Sequence, residues 1–295
     1  MTKHHIVHDA DRDGWGSAAL IAATVAPEPT ALHPLPKTRD VVGLLQNVRA
    51  AQGDRIYVLD IPAPASWKAL SPPPCELIWV DHHLAAWTEP PPSWMRVVLP
   101  PHHKATTTMK VLVQAGLVTL PRAMDFVRGV CRREPPYDWG LLFDALDEGA
   151  PDVDGFESLL GLGPRGARVP PTLQSLVRQQ ERAASRVEQT LAAAPITVSK
   201  HLVICQLADA KGIRLRFYSL ALARRFPDRL CVLVHRRQLL YVGRDSRKSA
   251  PNLLAHFRNR GLSPSGHPYV CFVKLRGEQL EPELAALRRL AEAKG

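Results

Sequence analysis

Through the first half of the chain, short unbroken apolar runs end in acidic residues and alternate with stretches of helical spacing. His4-His5-Ile6-Val7-His8 predicts a strand, followed by the acidic loop Asp9 to Gly14 and a small-residue helix beginning near Ser17. That order opens a βα unit. Val41, Val42, Leu45 and Val48 follow the helical period and predict a helix over 38–51. Arg55-Ile56-Tyr57-Val58-Leu59 predicts a second strand, which Pro62 and Pro64 keep from continuing. After a short helical segment around Trp67 to Leu70 comes Leu77-Ile78-Trp79-Val80, which reads as a buried strand.

Residues 144–168 are rich in Gly, Asp and Pro, with a small helix expected over 156–160. Leu173, Leu176, Val177, Ala184, Val187 and Leu191 then mark one long helix over 172–194, suited either to join two lobes or to pack within one. Beyond it, strands are expected over 201–206, 230–234, 238–242 and 269–275, and helices over 219–225, 252–259 and 281–293. The expected fold class is α/β and two-lobed. A mostly parallel N-terminal sheet with flanking helices occupies 1–170, a connector helix 171–195, and a smaller mixed α/β domain 196–295.

Composition narrows the picture. At 295 residues and 45% hydrophobic content the chain can bury more than one core. Its five cysteines are scattered without a CxxC pair, which fits a reducing compartment rather than a disulfide framework. The N-terminus lacks the apolar run of a signal peptide and no stretch is long enough to span a bilayer, so a soluble cytoplasmic protein is expected. A formal charge of +10 points to a phosphate-bearing partner, single-stranded nucleic acid, oligonucleotides or nucleotides among them. A GC-rich genome, which favours Arg, would give the same charge without any such partner.

The candidate chemistry lies where strands end. Asp11 and Asp13 follow the first, Asp60 follows the second, and Asp81-His82-His83 follows the third. Ligands of open α/β sheets gather at the carboxyl ends of strands. A single Asp there is ordinarily a helix cap or turn residue, but several with adjacent histidines form a metal-ligand set. Carboxylates and imidazoles without cysteine suit Mn²⁺ or Mg²⁺ rather than structural zinc. Two such cations can clamp a phosphoryl group and activate water for in-line attack.

These residues resemble the motifs of the DHH phosphoesterase superfamily, which includes exonucleases of the RecJ type, nano-RNases, cyclic-dinucleotide phosphodiesterases and manganese pyrophosphatases. His8-Asp9-Ala10-Asp11-Arg12-Asp13-Gly14 is similar to its first motif, Asp60 to its second, and Asp81-His82-His83 to its signature triplet; Ala105 to Thr108 resembles the small-hydroxyl run that opens the next helix. For the fourth motif Asp138, before Trp139, is the best match, with Glu134 and Asp125 as competing carboxylates. The resemblance implies two Mn²⁺ ions (Mg²⁺ as the alternative). One would be held by His8, Asp11 and Asp60, the other by Asp13, Asp60, His82 and Asp138. Asp81 would orient a histidine or serve as a further ligand, and His83 would touch the substrate phosphate.

In the C-terminal part, Arg244 and Ser246 resemble the Arg and Ser of the family's associated domain, and Ser265-Gly266-His267 its glycine-rich loop before a His. Together they imply a substrate-binding lobe, with Arg247, Lys248, Arg258 and Arg260 nearby. Tyr269-Val270-Cys271 stands where the family carries smaller residues. The activity so implied is a metal-dependent phosphoesterase, an exonuclease or nano-RNase trimming short single-stranded oligonucleotides. The alternatives are a phosphoesterase of cyclic dinucleotides or 3′-phosphoadenosine 5′-phosphate, and a nucleic-acid-binding or assembly protein without catalysis.

Overall fold

The computed structural model describes residues 1–35, 40–64, 67–101, 107–132, 138–147, 159–210, 212–236, 239–243, 252–267 and 270–293. They fall into two compact units, Met1–Gln180 and Glu181–Gly295. In the first, β1 (His4–Asp9), β2 (Thr30–Leu35), β3 (Arg55–Leu59), β4 (Glu76–Val80) and β5 (Met95–Val98) form a sheet in the order β2-β1-β3-β4-β5. Every pairing in it is parallel. After an exposed first residue, β3 and β4 are buried throughout, because both faces of the sheet are covered. Ile6, Tyr57, Leu59, Ile78 and Val80 join one core, while Val7, Ile56, Val58, Leu77 and Trp79 join the other, the two-residue alternation of a strand.

The first core is built around α1 (Arg12–Val25), whose residues 14–23 are all buried. Its small side chains let it approach closely. A Cβ on Gly14 would lie 1.9 Å from the Asp9 carbonyl oxygen, and one on Gly16 would lie 2.4 Å from Met109 Sδ. Also in this unit are α2 (Val41–Asn47), α3 (Thr108–Gln114), α4 (Ala123–Arg132) and α5 (Trp139–Asp147). The long helix α6 (Gln174–Ala193) spans the boundary between the units: Val177 belongs to a core of the first, Val187 and Leu191 to a core of the second.

The second unit contains β6 (Ile196–Val198), β7 (Leu202–Leu207), β8 (Leu230–His235), β9 (Leu239–Gly243), β10 (Ser265–His267) and β11 (Val270–Lys274), in the order β10-β11-β9-β8-β7-β6. β7 and β8 are parallel, joined through α7 (Leu215–Arg225), and the other neighbours are antiparallel. The other α-helices among the described residues of this unit are α8 (Leu253–Arg258) and α9 (Leu280–Glu292). The α/β class and the two sheets, one parallel and one mixed, agree with the sequence reading. No helix among the described residues is long and apolar enough to cross a membrane.

Several boundaries differ from expectation. α1 starts at Arg12 rather than near Ser17 because Asp11 caps it, and α2 covers less than the expected 38–51. β2 and β5 were not anticipated. Both are edge strands, where burial is incomplete and β2 can carry Pro34. Ser265-Gly266-His267, expected as a loop, is instead a short strand paired with Val270 to Phe272. The helix expected over 156–160 lies mostly outside the described residues.

The tight seating of α1 on β1 makes Gly14→Ala a sharp test. The substitution should cost about 3 kcal/mol in chemical denaturation, because the backbone it meets cannot swing away. Gly53→Ala, with a φ of 93° but nothing within 4 Å, should cost about 1 kcal/mol. Equal effects at the two positions would contradict this account of packing.

Candidate metal centre at the strand ends

In the order β2-β1-β3-β4-β5, successive strands leave β1 on opposite sides, so the crevice for a ligand lies outside the carboxyl ends of β1 and β3. Asp9 is the last residue of β1, and Asp60 directly follows β3. Asp9, Asp11 and Asp60 each offer a carboxylate oxygen within 4.8 Å of the others. Asp60, His82 and His83 form a second such group, so Asp60 belongs to both. Residues as far as 51 apart in sequence meet in the first group and 23 apart in the second.

Asp60 is the constrained member. It is 2% exposed, and its φ of 61° lies in the left-handed region, which a non-glycine residue occupies at a cost. Its amide donates to the Val80 carbonyl at 3.0 Å. Its Oδ1 accepts from Thr108 Oγ1 at 2.8 Å and lies 3.2 Å from His82 Nε2. Burial, then the charges of Asp13 and Asp11, push its carboxyl well above the ordinary range. Proton release from a carboxyl so placed needs compensating positive charge.

Two helix starts supply part of that compensation. Asp11 Oδ1 accepts from the amides of Asp13 (2.9 Å) and Gly14 (3.2 Å), capping α1. Asp13 in turn accepts from the Thr108 amide at 2.8 Å and the Met109 amide at 3.1 Å, at the start of α3. Burial and the Asp11 charge nevertheless push Asp13 up to about 7, against the lowering effect of those two amides.

His8 shows what the group lacks. It is fully buried, and its Nδ1 lies 2.8 Å from the Asp9 carbonyl oxygen. A carbonyl only accepts, so Nδ1 carries the proton and Nε2 presents a lone pair. Nε2 is buried with no hydrogen-bond partner. Burial also lowers the ring to about 4, leaving it neutral at neutral pH. A neutral imidazole oriented through one nitrogen is the form that binds a divalent cation, although His8, like Asp138, belongs to neither group of ligand atoms within 4.8 Å. The donor set therefore fits the oxygen- and nitrogen-bound metal that the sequence implies.

The triplet divides into different surroundings. Asp81 is wholly buried; its Oδ1 accepts from the His82 amide and from His83 Nδ1, both at 2.7 Å. Its Oδ2 accepts from Trp87 Nε1 at 3.1 Å. His82 Nε2 turns toward Asp60 and Asp13, at 3.2 and 3.9 Å. For His83, burial works against the charged ring, but the Asp81 hydrogen bond and charge, aided by Asp13 and Asp11, raise it above the ordinary histidine value.

Other expected residues stand apart. Asp138 precedes α5, where its carbonyl accepts from the Leu142 amide at 3.0 Å, and it belongs to neither metal-ligand group. Of its competitors, Asp125 lies 3.6 Å from Arg128 at the surface, and Glu134 is outside the described residues. His4 and His5, near the start of β1, meet Glu28 and His33 respectively. Arg244 and Ser246, with Arg247 and Lys248, also lie outside the described residues, as do His102 and His103. Ser265, Gly266 and His267 form β10 of the second unit. Sequence reasoning assigned Asp9 no role of its own, although its place at the end of β1 follows the same rule that singled out Asp60.

No protein-family model matches the sequence, and no curated protein matches it significantly. Solved structures are similar along its whole length. The pGpG-specific phosphodiesterase PggH from Vibrio cholerae matches with a TM-score of 0.62 and 16% identity, covering 99% of this chain and 100% of that one. The DHH domain of a protein described as belonging to a family of ribosomal proteins matches with a TM-score of 0.56 and 14% identity, over 98% of this chain and 86% of that one. RecJ from Thermus thermophilus, solved with Mn²⁺, matches with a TM-score of 0.54 and 14% identity; this chain, covered over 99%, spans about half (52%) of it. At these identities the likeness lies in the fold, which this chain shares with a pGpG-specific phosphodiesterase, a DHH domain and RecJ.

The shift at Asp13 gives a signed test in metal-free protein. Between the ordinary 3.8 and about 7 the folded state holds a proton that the unfolded chain has released. Asp13 therefore destabilises the fold increasingly across that interval and by a constant amount above it. His8, lowered from 6.5, acts in the opposite direction, so the comparison must isolate Asp13. The stability of Asp13→Asn relative to wild type should rise from pH 4 to 7, whatever constant offset the amide introduces, and relief of the Asp13 charge on Asp60 acts in the same direction. A difference independent of pH would refute the shift.

Proposed function

We propose that this chain is a divalent-metal-dependent phosphodiesterase acting on short nucleotides, with dinucleotides as its substrate class. The observation that carries the reading is Asp60, shared by a carboxylate group (Asp9, Asp11) and a histidine group (His82, His83) at the sheet's switch point. Asp9, Asp11 and Asp60 would hold one Mn²⁺ or Mg²⁺ ion, with His8 Nε2 as the nitrogen donor. Asp60 and His82, with Asp13, would hold the other, and neither set requires Asp138. Bound there, such ions supply Lewis acidity to phosphoryl oxygens and lower the pKa of attacking water.

The protein's own groups do the rest. His83, whose Nδ1 is committed to Asp81, would donate to a substrate phosphate, and its raised pKa favours the donor form. Asp81 fixes the direction of that ring. Thr108 and the first amides of α3 hold Asp60 and Asp13 in place, so these carboxylates need little rearrangement when charge arrives.

On substrate, the small-nucleotide alternative has better support than oligonucleotide trimming. PggH, named as pGpG-specific, is covered end to end, whereas RecJ from Thermus thermophilus is matched over about half its length. The +10 charge favours a phosphate-bearing substrate of either length. Full-length protein with Mn²⁺ should hydrolyse 5′-phosphorylated dinucleotides with a higher kcat/KM than long single strands. Chelation should abolish the activity. Asp60→Asn, which tolerates the left-handed backbone, should remove turnover without unfolding the protein, while Asp81→Asn should lower it about 10–100-fold. Preference for long strands would overturn the substrate class, and Mn²⁺-dependent turnover that survives Asp60→Asn would overturn the site.

A further inference from the structure

We infer that a cavity beside the triplet is a nucleobase subsite built on Trp87; the inference rests on the phosphodiesterase reading and adds a specificity element to it. The cavity has a volume of about 460 Å³ and is lined by Trp87, Thr88, Glu89, Pro90, Pro91 and Val97 among others. The indole of Trp87 is fixed from two directions. Its Nε1 donates to Asp81 Oδ2 at 3.1 Å, and its ring meets Trp79 edge-on, at 88° with centroids 5.6 Å apart. Trp79 is itself fully buried, its Nε1 donating to the Ile61 carbonyl at 2.7 Å. An aromatic ring already immobilised on the wall of an open cavity stacks a planar partner with little further loss of freedom.

The remaining walls suit the same partner. Val97 and the two prolines are apolar. Among the lining residues, half-exposed Glu89 pairs with Lys68, placing an acceptor and a donor together. Apolar faces with a few polar groups at one edge match a heteroaromatic base, which is flat and polar only along its rim. The connection to the triplet indicates whose base it is. Trp87 and His83 bond the two oxygens of one carboxylate, so a ring on Trp87 and a phosphate at His83 are separated by little more than Asp81. The base would then be that of the nucleotide whose phosphate meets His83.

The test compares a 5′-phosphorylated dinucleotide with its abasic analogue on full-length protein with Mn²⁺, reading the ratio of their kcat/KM values. Trp87→Leu removes the stacking ring and should lower the ratio by roughly 5- to 150-fold, the span of one base–aromatic stack. Val97→Phe fills the cavity without touching Asp81 and should also lower it. Trp87→Phe keeps a ring but loses the N–H to Asp81; it should slow both substrates and preserve the ratio. An unchanged ratio in Trp87→Leu and Val97→Phe, or an equal fall in Trp87→Phe, would overturn the subsite. If the protein cleaves no phosphodiester, the phosphodiesterase reading fails separately, and calorimetry with free guanosine and adenosine decides the subsite. Binding that Trp87→Leu abolishes would sustain it; binding that is absent, or indifferent to Trp87, would end it.

Discussion

Everything in the first unit answers to one electrostatic constraint, the gathering of carboxylates at the ends of β1 and β3 around buried Asp60. Like charges in a site of low dielectric repel strongly, and the fold meets that repulsion with directed N–H groups. α1 begins where its amides reach Asp11, and α3 begins where its amides reach Asp13. The close approach of α1 to β1 at Gly14 follows from the first of these requirements. The compensation is partial, since Asp13 and Asp60 remain shifted upward and His8 keeps an unused buried lone pair. A site left short of positive charge in this way is poised for cations.

The backbone carries the same constraint. Asp60 could point elsewhere if its φ returned to the ordinary negative range, yet its amide bond to Val80 and its two side-chain partners keep it in the left-handed region. Strain of this kind persists only where the surroundings over-determine it. Here the surroundings are two interior strands of the sheet, β3 and β4, and the first residue of α3, all packed against the hydrophobic cores.

Much of this was legible in the residue order, and the reasons are physical. An apolar run closed by an acid is a local signal, so β1, β3, β4 and the acids after them could be read directly. The cap at Asp11 was harder, because the same residue serves the helix and the carboxylate group, and its second role masked the first; α1 was therefore expected too late. β2 and β5 escaped because edge strands are only partly buried and need no continuous apolar run. β10 escaped because Gly-Ser-Pro surroundings mimic a loop, while its pairing to β11 is a contact no local pattern encodes. Asp9 was passed over for a different reason. The motif resemblance drew weight to Asp11 and Asp13, although the strand-end rule alone favours Asp9.

The triplet shows how an acid beside two histidines acquires its task. A carboxylate serves as a ligand only if lone pairs face the ion, and as a holder only if donors occupy them. Asp81 receives three N–H donors on two oxygens and has no exposed surface, which assigns it to holding. Its neighbours then separate. His82 is anchored through its backbone amide, which leaves its ring to turn toward Asp60 and Asp13. His83 is anchored through its ring, whose Nδ1 donates to the same carboxylate. One buried carboxylate thereby orients two adjacent imidazoles differently, and its third donor, Trp87, ties the same carboxylate to the neighbouring cavity wall.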